Sequence, residues 1–420
     1  MSTENQAFRA PKGTNDVIPP QSWEWQGATR LALDTFATAG YAPIETPIFE
    51  HTEVFERGVG ANSEVVGKQM YTFEDRAGRS LTLRPELTAP TVRAVLEHGL
   101  HRGPLPVKLA YAGPMFRQER PQKGRYRQFF QVGVEAIGSD DPKVDAEVIE
   151  VAMRYLRAAG VEPVLHLNSI GHLDRSCRSG FMETLVAFLK ENASSLAEED
   201  RDRVSTNPLR TFDSKEPETI EVMKQAPLIT DHLCDSCRKH FETVQDLLGH
   251  VGVSFILAPR LVRGLDYYTR TAFEFTSEGL GSQNAVGGGG RYDGLAESLG
   301  GDPLPGIGFA LGLDRILLAR TGTEAETPSM HVYVVSIGEE AGREALRIVT
   351  HLRSNGISAD LDLGGRAMKG QMKDASRSGA RWAVIIGDEE LVSGNVTLKD
   401  LSDGTQETVS FEDIEKRVSQ

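Results

Sequence analysis

Two runs rich in apolar strand formers, Val107–Phe116 and Gln128–Ile137, flank a polar stretch that carries Pro121 and Gly124. That spacing predicts a β-hairpin closed by a long loop. On the return arm Phe130, Val132, Val134 and Ala136 fall on one face, while Phe129, Gln131, Gly133 and Glu135 fall on the other. The first set suits a core. The second is an aromatic, an amide, a gap and a carboxylate, which are costly to bury without partners. The hairpin is therefore expected to floor a polar site, with Gly133 leaving room for a ligand; a solvated amphipathic hairpin fits the same alternation. Arg117 and Glu119 share a face of the first arm.

A helical period runs over 23–39, with Leu31, Thr35 and Ala39 on one stripe and Gly40 in a C-cap position. The following YAPIETPIFE carries two prolines and predicts an extended segment at an edge or interface, because proline cannot donate to a ladder. LTLRPELTAP reads as a strand entering a helix, which puts Glu86 and Thr88 where the strand ends, with helix capping by Thr88 as the other reading. Residues 141–160 are strongly helical: Val144, Val148, Val151 and Tyr155 face a core, Asp141 caps and Gly160 terminates. A strand is expected over 161–169. From about 170 to 257 the composition shifts to charged helical segments, as in an inserted module.

Arg263 lies between Val262 and Gly264 ahead of the strand-like TRTAFEF, and an arginine in such company is expensive to bury unless an anion or carboxylate meets it. AVGGGGRYDGL has four consecutive glycines, yet strand-like NAV and RYD flank them, so the glycines suit a wall that a ligand approaches closely better than a linker. PGIGFALGLDRILLAR predicts a glycine-rich strand entering a helix, with Arg315 off the core face. TGTEAETPS reads as a polar linker. Beyond it strands and helices alternate, which implies a small α/β domain with a mostly parallel sheet.

At 420 residues, two or three domains are expected, and 25% charged with 39% hydrophobic residues is ordinary for a globular chain. The net charge of −14 argues against indiscriminate nucleic-acid binding. A local basic run remains, Arg366, Lys369, Lys373, Arg377 and Arg381, either a phosphate-contacting patch or a solvated helix face. No stretch approaches a membrane span and the first residues lack an apolar leader, so a cytoplasmic location is expected. Three cysteines, an odd number, argue against a disulfide framework. Cys234 and Cys237 form a lone CxxC without a second pair, Cys177 has no His or Cys close in sequence, and structural or incidental cysteines are expected in place of a metal site.

FRQER, a basic loop and a strand ending in Gly-Val-Glu resemble motif 2 of class II aminoacyl-tRNA synthetases, and QKGRYRQFFQVGVE resembles the histidyl-tRNA synthetase family. RGLDYY and AVGGGGRYDGL resemble that family's two signatures, the helix with YAPIETPIFE resembles the dimer-forming motif 1, and the segment around Arg315 resembles motif 3. The resemblance implies an α+β catalytic domain built on an antiparallel sheet over 1–325, with the helical insertion at about 170–257. It further implies an α/β anticodon-binding domain over 326–420.

The implied activity is histidine–tRNA ligation by a homodimer acting on L-histidine, ATP with Mg2+, and tRNA(His). By the same resemblance Arg117 and Arg263 are catalytic, meeting the α-phosphate from opposite sides. Histidine is bound by Glu86, Thr88, Arg117, Gln131, Glu135, Arg263, Tyr267 and Tyr268, with Glu86 and Thr88 on the α-ammonium and Glu135 and Tyr268 on the ring nitrogens. ATP is bound by Arg117, Glu119, Arg125, Phe129 and Arg315. Leu87, where many bacterial relatives carry a small residue, is a local departure from the pattern. The rival is a regulatory paralogue, the synthetase-like subunit of ATP phosphoribosyltransferase; the presence of Arg117, Arg263, Arg315 and the last domain weighs against it. A sister synthetase of other specificity is opposed by RGLDYY and Glu135.

Overall fold

A computed structural model of the chain describes residues 8–60, 63, 65–172, 175–281, 284–321 and 330–419. The chain divides into two compact units, Met1–Glu324 and Ala325–Gln420. Most of the expected linker, 322–329, lies outside the described residues.

The first unit is organised around an eight-stranded sheet. Its spatial order is Ala42–Pro43, Val107–Phe116, Gln128–Ile137, Gly306–Gly312, Ala285–Arg291, Thr269–Thr276, Val164–Ser169 and Ile256–Leu257. The six central strands pair antiparallel, and the short strand at each edge is parallel to its neighbour. The proline-bearing segment is thus an edge, as its missing donor requires. A separate three-stranded sheet holds Phe49–His51, Ser80–Leu83 and Tyr71–Glu74.

One face of the large sheet is the core. Val132, Val134 and Ala136 of the return arm pack there with Phe273, Phe275, Ile307 and Phe309, under the helices Gln21–Thr38, Pro142–Ala158 and Asp235–His250. The first helix buries Ala28, Ala32 and Phe36 and not the expected Leu31, Thr35 and Ala39. Phe36 decides the rotation: its ring meets Tyr155 at 5.6 Å and Phe309 at 5.5 Å, and Leu31 and Ala39 are left at the flank of the core. The Pro142–Ala158 helix starts as predicted, with Asp141 accepting from the Lys143 N–H at 2.9 Å.

A buried ion pair ties this layer to the sheet. Arg291 and Asp145 are both fully buried, with Arg291 Nε 2.9 Å from each Asp145 oxygen, and His240 Nε2 lies 3.1 Å from Asp145. Strand, helix and insertion therefore meet at one carboxylate. The insertion itself packs Phe181, Leu185, Leu189, Met223 and Ile229 into a cluster that also contains Val262, Tyr268 and Ala272, so its core continues into the sheet.

In the second unit the order is Ala359–Leu361, Val332–Ser336, Trp382–Ile386, Asn395–Asp400 and Gln406–Ser410. The first two pairings are parallel and the last two antiparallel, which corrects the expectation of a mostly parallel sheet. A parallel return needs a crossover of about a dozen residues or more. Only the short helix Asp388–Ser393 separates the third strand from the fourth.

Candidate active site

The face of the large sheet opposite the core opens into a cavity of about 360 Å³. Its lining comes from distant parts of the chain, among them Glu86, Leu87 and Thr88; residues of the hairpin between Arg117 and Gln131; residues between Arg263 and Tyr268; and the glycine-rich strands with Asp314 and Arg315. Every site residue expected from the sequence lines it except Glu135.

Glu135 sits beneath the floor, fully buried. Thr88 Oγ1 donates to its Oε1 at 2.7 Å, Tyr111 OH to the same oxygen at 3.1 Å, and Tyr292 OH to Oε2 at 2.6 Å. Burial pushes its carboxyl up to about 8 against the pull of these hydroxyls, and the neighbouring Glu86 adds to the rise. Gly308, its cross-strand partner, is required here, since a Cβ at that position would lie 1.8 Å from Glu135 Oε2. Gly133 does not leave ligand space as expected: a Cβ there would meet Phe309 O at 2.3 Å and the Tyr111 ring at 2.6 Å. The gap in the sequence is filled by a tyrosine whose hydroxyl serves Glu135.

Glu86 caps the helix Thr88–Glu97 from within the site. Its carboxylate accepts from the Thr88 N–H at 2.7 Å and the Ala89 N–H at 3.0 Å, which frees the Thr88 hydroxyl for Glu135. Burial raises the Glu86 pKa, opposed by those two N–H groups and by Arg117. Tyr267 OH approaches the same carboxylate at 3.5 Å, and the Tyr267 and Tyr268 rings lie 4.6 Å apart. Gln131 Oε1 is buried without a hydrogen-bond partner among the described residues.

Five arginines line the cavity: Arg117, Arg125, Arg210, Arg263 and Arg315. Arg117 Nε donates to the Pro85 carbonyl at 2.9 Å, and its guanidinium lies 5.1 Å from the centre of the Phe129 ring. Glu119 stands between Arg117 at 3.7 Å and Arg125 at 4.0 Å. Arg263 Nη1 donates to Glu274 at 2.8 Å, which supplies the carboxylate a buried arginine demands, while its Nε has no partner among the described residues. Burial, and then the like charge of Arg125, hold the Arg315 pKa below its ordinary value. An anion between those two groups would relieve both.

Four contributors escaped the sequence reading. Glu274 had a visible signal, a lone carboxylate between Phe273 and Phe275. Tyr111 and Tyr292 had none, because their hydroxyls matter only through a residue distant in the chain. Arg210, from the insertion, donates to the Gly264 carbonyl at 2.6 Å, so the insertion supports the loop that carries Arg263. Spacing also did not reveal that Cys177, Cys234 and Cys237 converge on His172.

An antiparallel sheet that presents a motif 2 hairpin and a motif 3 arginine to one polar cavity defines a class II aminoacyl-tRNA synthetase fold. The histidyl-tRNA synthetase family model matches residues 13–316, and an anticodon binding domain model matches residues 331–420. The chain belongs to the histidyl-tRNA synthetase family. It is 51% identical over 422 residues to a histidine–tRNA ligase of Corynebacterium kroppenstedtii, covering 99% of this chain and 98% of that one. A histidine–tRNA ligase of Rhodococcus opacus is 52% identical over 419 residues, covering 98% and 97%. The crystal structure of apo S. aureus histidyl-tRNA synthetase superposes with a TM-score of 0.83 at 37% identity, covering 99% of this chain and 100% of that one.

Proposed function

We infer that this chain is a histidine–tRNA ligase, which activates L-histidine with ATP to histidyl-adenylate and pyrophosphate and then transfers the histidyl group to the 3′ end of tRNA(His). The observation that carries this is the convergence of Arg117 and Arg263, from distant segments, on one cavity that also holds Glu86, Thr88 and Tyr268. Attack of a carboxylate on the α-phosphorus builds negative charge on phosphoryl oxygens and requires the reactants to be held in line. Guanidinium forks, always protonated, match that demand.

In this reading Arg117 holds the substrate carboxylate and α-phosphate, and Arg263 stabilises the phosphoryl oxygens from the other side, oriented by Glu274. Glu86 and Thr88 receive the α-ammonium. Tyr268 and Glu135 read the two ring nitrogens, Glu135 by exchanging one hydroxyl donor for a ring N–H, and Gln131 and Tyr267 complete the pocket. Arg125 and Arg315 take the outer phosphates, Phe129 stacks on adenine, and Glu119 meets the adenine amino edge. Glu119, Glu274 and Asp314 offer the oxygen donors a hard divalent cation accepts, so the Mg2+ accompanying ATP would find ligands among them.

The unit Met1–Glu324 is then catalytic, and Ala325–Gln420 binds the anticodon region, with exposed Lys369, Lys373 and Arg377 as phosphate contacts. Arg366 is engaged by Asp362 and Asp374, and Arg381 faces Asp400 at 3.6 Å, which leaves them less available. A homodimer is supported by exposed apolar Ile48, Phe49 and Phe73 next to the proline-bearing edge. The three cysteines form no disulfide, in accord with a cytoplasmic enzyme, and no helix of the described residues is long and apolar enough to cross a membrane. ATP–pyrophosphate exchange tested with each of the twenty amino acids is expected to respond to histidine alone. Exchange with a different amino acid, or none with histidine, would overturn the reading.

A further inference from the structure

Outside the cavity, four soft ligand atoms meet inside the insertion. One ligand atom from each of His172, Cys177, Cys234 and Cys237 lies within 4.8 Å of all the others. His172 Nδ1 is 3.1 Å from Cys237 Sγ and 3.8 Å from Cys234 Sγ. Cys177 and Cys237 are buried and Cys234 is half-buried. In a tetrahedral site with metal–sulfur bonds of about 2.3 Å and metal–nitrogen bonds of about 2.0–2.1 Å, ligand atoms stand about 3.5–3.8 Å apart. The observed separations bracket that edge length.

The surroundings of Cys234 suit a thiolate. Cys234 occupies the N-cap of the helix Asp235–His250, and its sulfur accepts from the Cys237 N–H at 3.5 Å. Helix N-termini favour negative charge, and a backbone donor to sulfur stabilises a thiolate. Gly171, with φ +64°, lies at the base of the cluster, where a Cβ would sit 2.6 Å from Cys177 Sγ. The close approach of that sulfur to the chain is thus possible only past a glycine.

We propose that His172, Cys177, Cys234 and Cys237 bind one zinc ion in a tetrahedral structural site. Binding displaces the three thiol protons, the imidazole donates a ring-nitrogen lone pair, and nothing is oxidised or reduced. Three sulfurs and one nitrogen form a closed, soft donor set with no position for water, which is the composition of a structural zinc centre. A disulfide would use two of the sulfurs and leave the third sulfur and the imidazole outside it.

The ion joins the start of the insertion to its last helix, closing the stretch 178–233 between them. It also reaches the active site by one residue. Arg178, next to Cys177, donates to the Tyr268 carbonyl at 2.7 Å, so the metal fixes the backbone of a residue that lines the cavity.

The test is metal analysis of the full chain purified without chelator, followed by exchange with Co2+. About one zinc per chain is expected, and the cobalt form should show the intense visible bands of tetrahedral geometry with a thiolate-to-metal charge-transfer band. Cys234→Ser, at the half-buried position, should weaken Zn2+ binding by about tenfold or more. Cys237→Ser changes a buried group and so also tests folding; the cobalt spectrum of the unaltered chain stands independently of both variants. The proposal is overturned if the unaltered chain takes up no Zn2+ in titration, if cobalt gives an octahedral spectrum without charge transfer, or if mass spectrometry finds a disulfide between any two of these cysteines in the native protein.

Discussion

Glu135 illustrates how far a single carboxyl can be moved by its neighbours. Its folded-state pKa of about 8 lies above the ordinary value of 4.5, chiefly through burial. Stability from this group is therefore complete below the unfolded value, declines as pH rises, and is lost on passing through the folded one. Glu135→Gln removes the dependence. Thermal unfolding followed between about pH 5 and about pH 8 should show the native chain losing stability faster than the variant, by at most about 1.4 kcal/mol per pH unit. Parallel profiles would refute the shifted carboxyl. The same variant should weaken histidine more than ATP, and an equal effect on both would show that this group does not read the ring. For Arg263, whose partner Glu274 and position in the cavity are fixed, Arg263→Ala is expected to lower histidine-dependent pyrophosphate exchange about 100-fold or more with an unchanged circular-dichroism spectrum. Exchange near the native rate would remove it from the chemistry. The sequence made Arg263 conspicuous because a guanidinium among apolar residues needs a partner. It could not say that the partner was Glu274 and not substrate alone.

At the level of elements, close strand approach explains the glycine run. A Cβ on Gly288 would sit 2.5 Å from the Phe273 carbonyl and 3.0 Å from the Arg263 guanidinium carbon. Gly288→Ala should therefore depress exchange activity more than it depresses the melting temperature; a purely structural glycine would lower both in step. Asp145 joins three elements at once, with burial opposing its charge and His240 and Arg291 restoring it, so that its pKa ends below the ordinary carboxyl range. Removing one partner of a buried ion pair leaves the other uncompensated, at a cost of about 3–5 kcal/mol. Asp145→Asn should destabilise by that order in urea denaturation, and a loss under about 1 kcal/mol would show that the pair is solvated. Alternation revealed the hairpin and its two faces. The rotation of Gln21–Thr38 was decided by Phe36, a choice that a stripe of small and apolar residues leaves open.

For the whole molecule, a chain truncated before residue 330 tests the division of labour between the two units. Adenylate formation should be retained better than tRNA charging, and the opposite order would refute the assignment of the second unit to RNA. Local order was legible in the sequence wherever one residue type met one physical demand: alternation set strands, capping residues and prolines set ends and edges, and Arg263, between Val262 and Gly264, pointed to a polar site. These depend on neighbours within a few positions, which the chain displays directly. What the sequence left undetermined were the meetings across long separations: Glu135 with Tyr111 and Tyr292, Arg263 with Glu274, the mixed pairing of the second sheet, and His172 with three cysteines. Each depends on which faces come to lie opposite when the layers close, and only tertiary packing sets that.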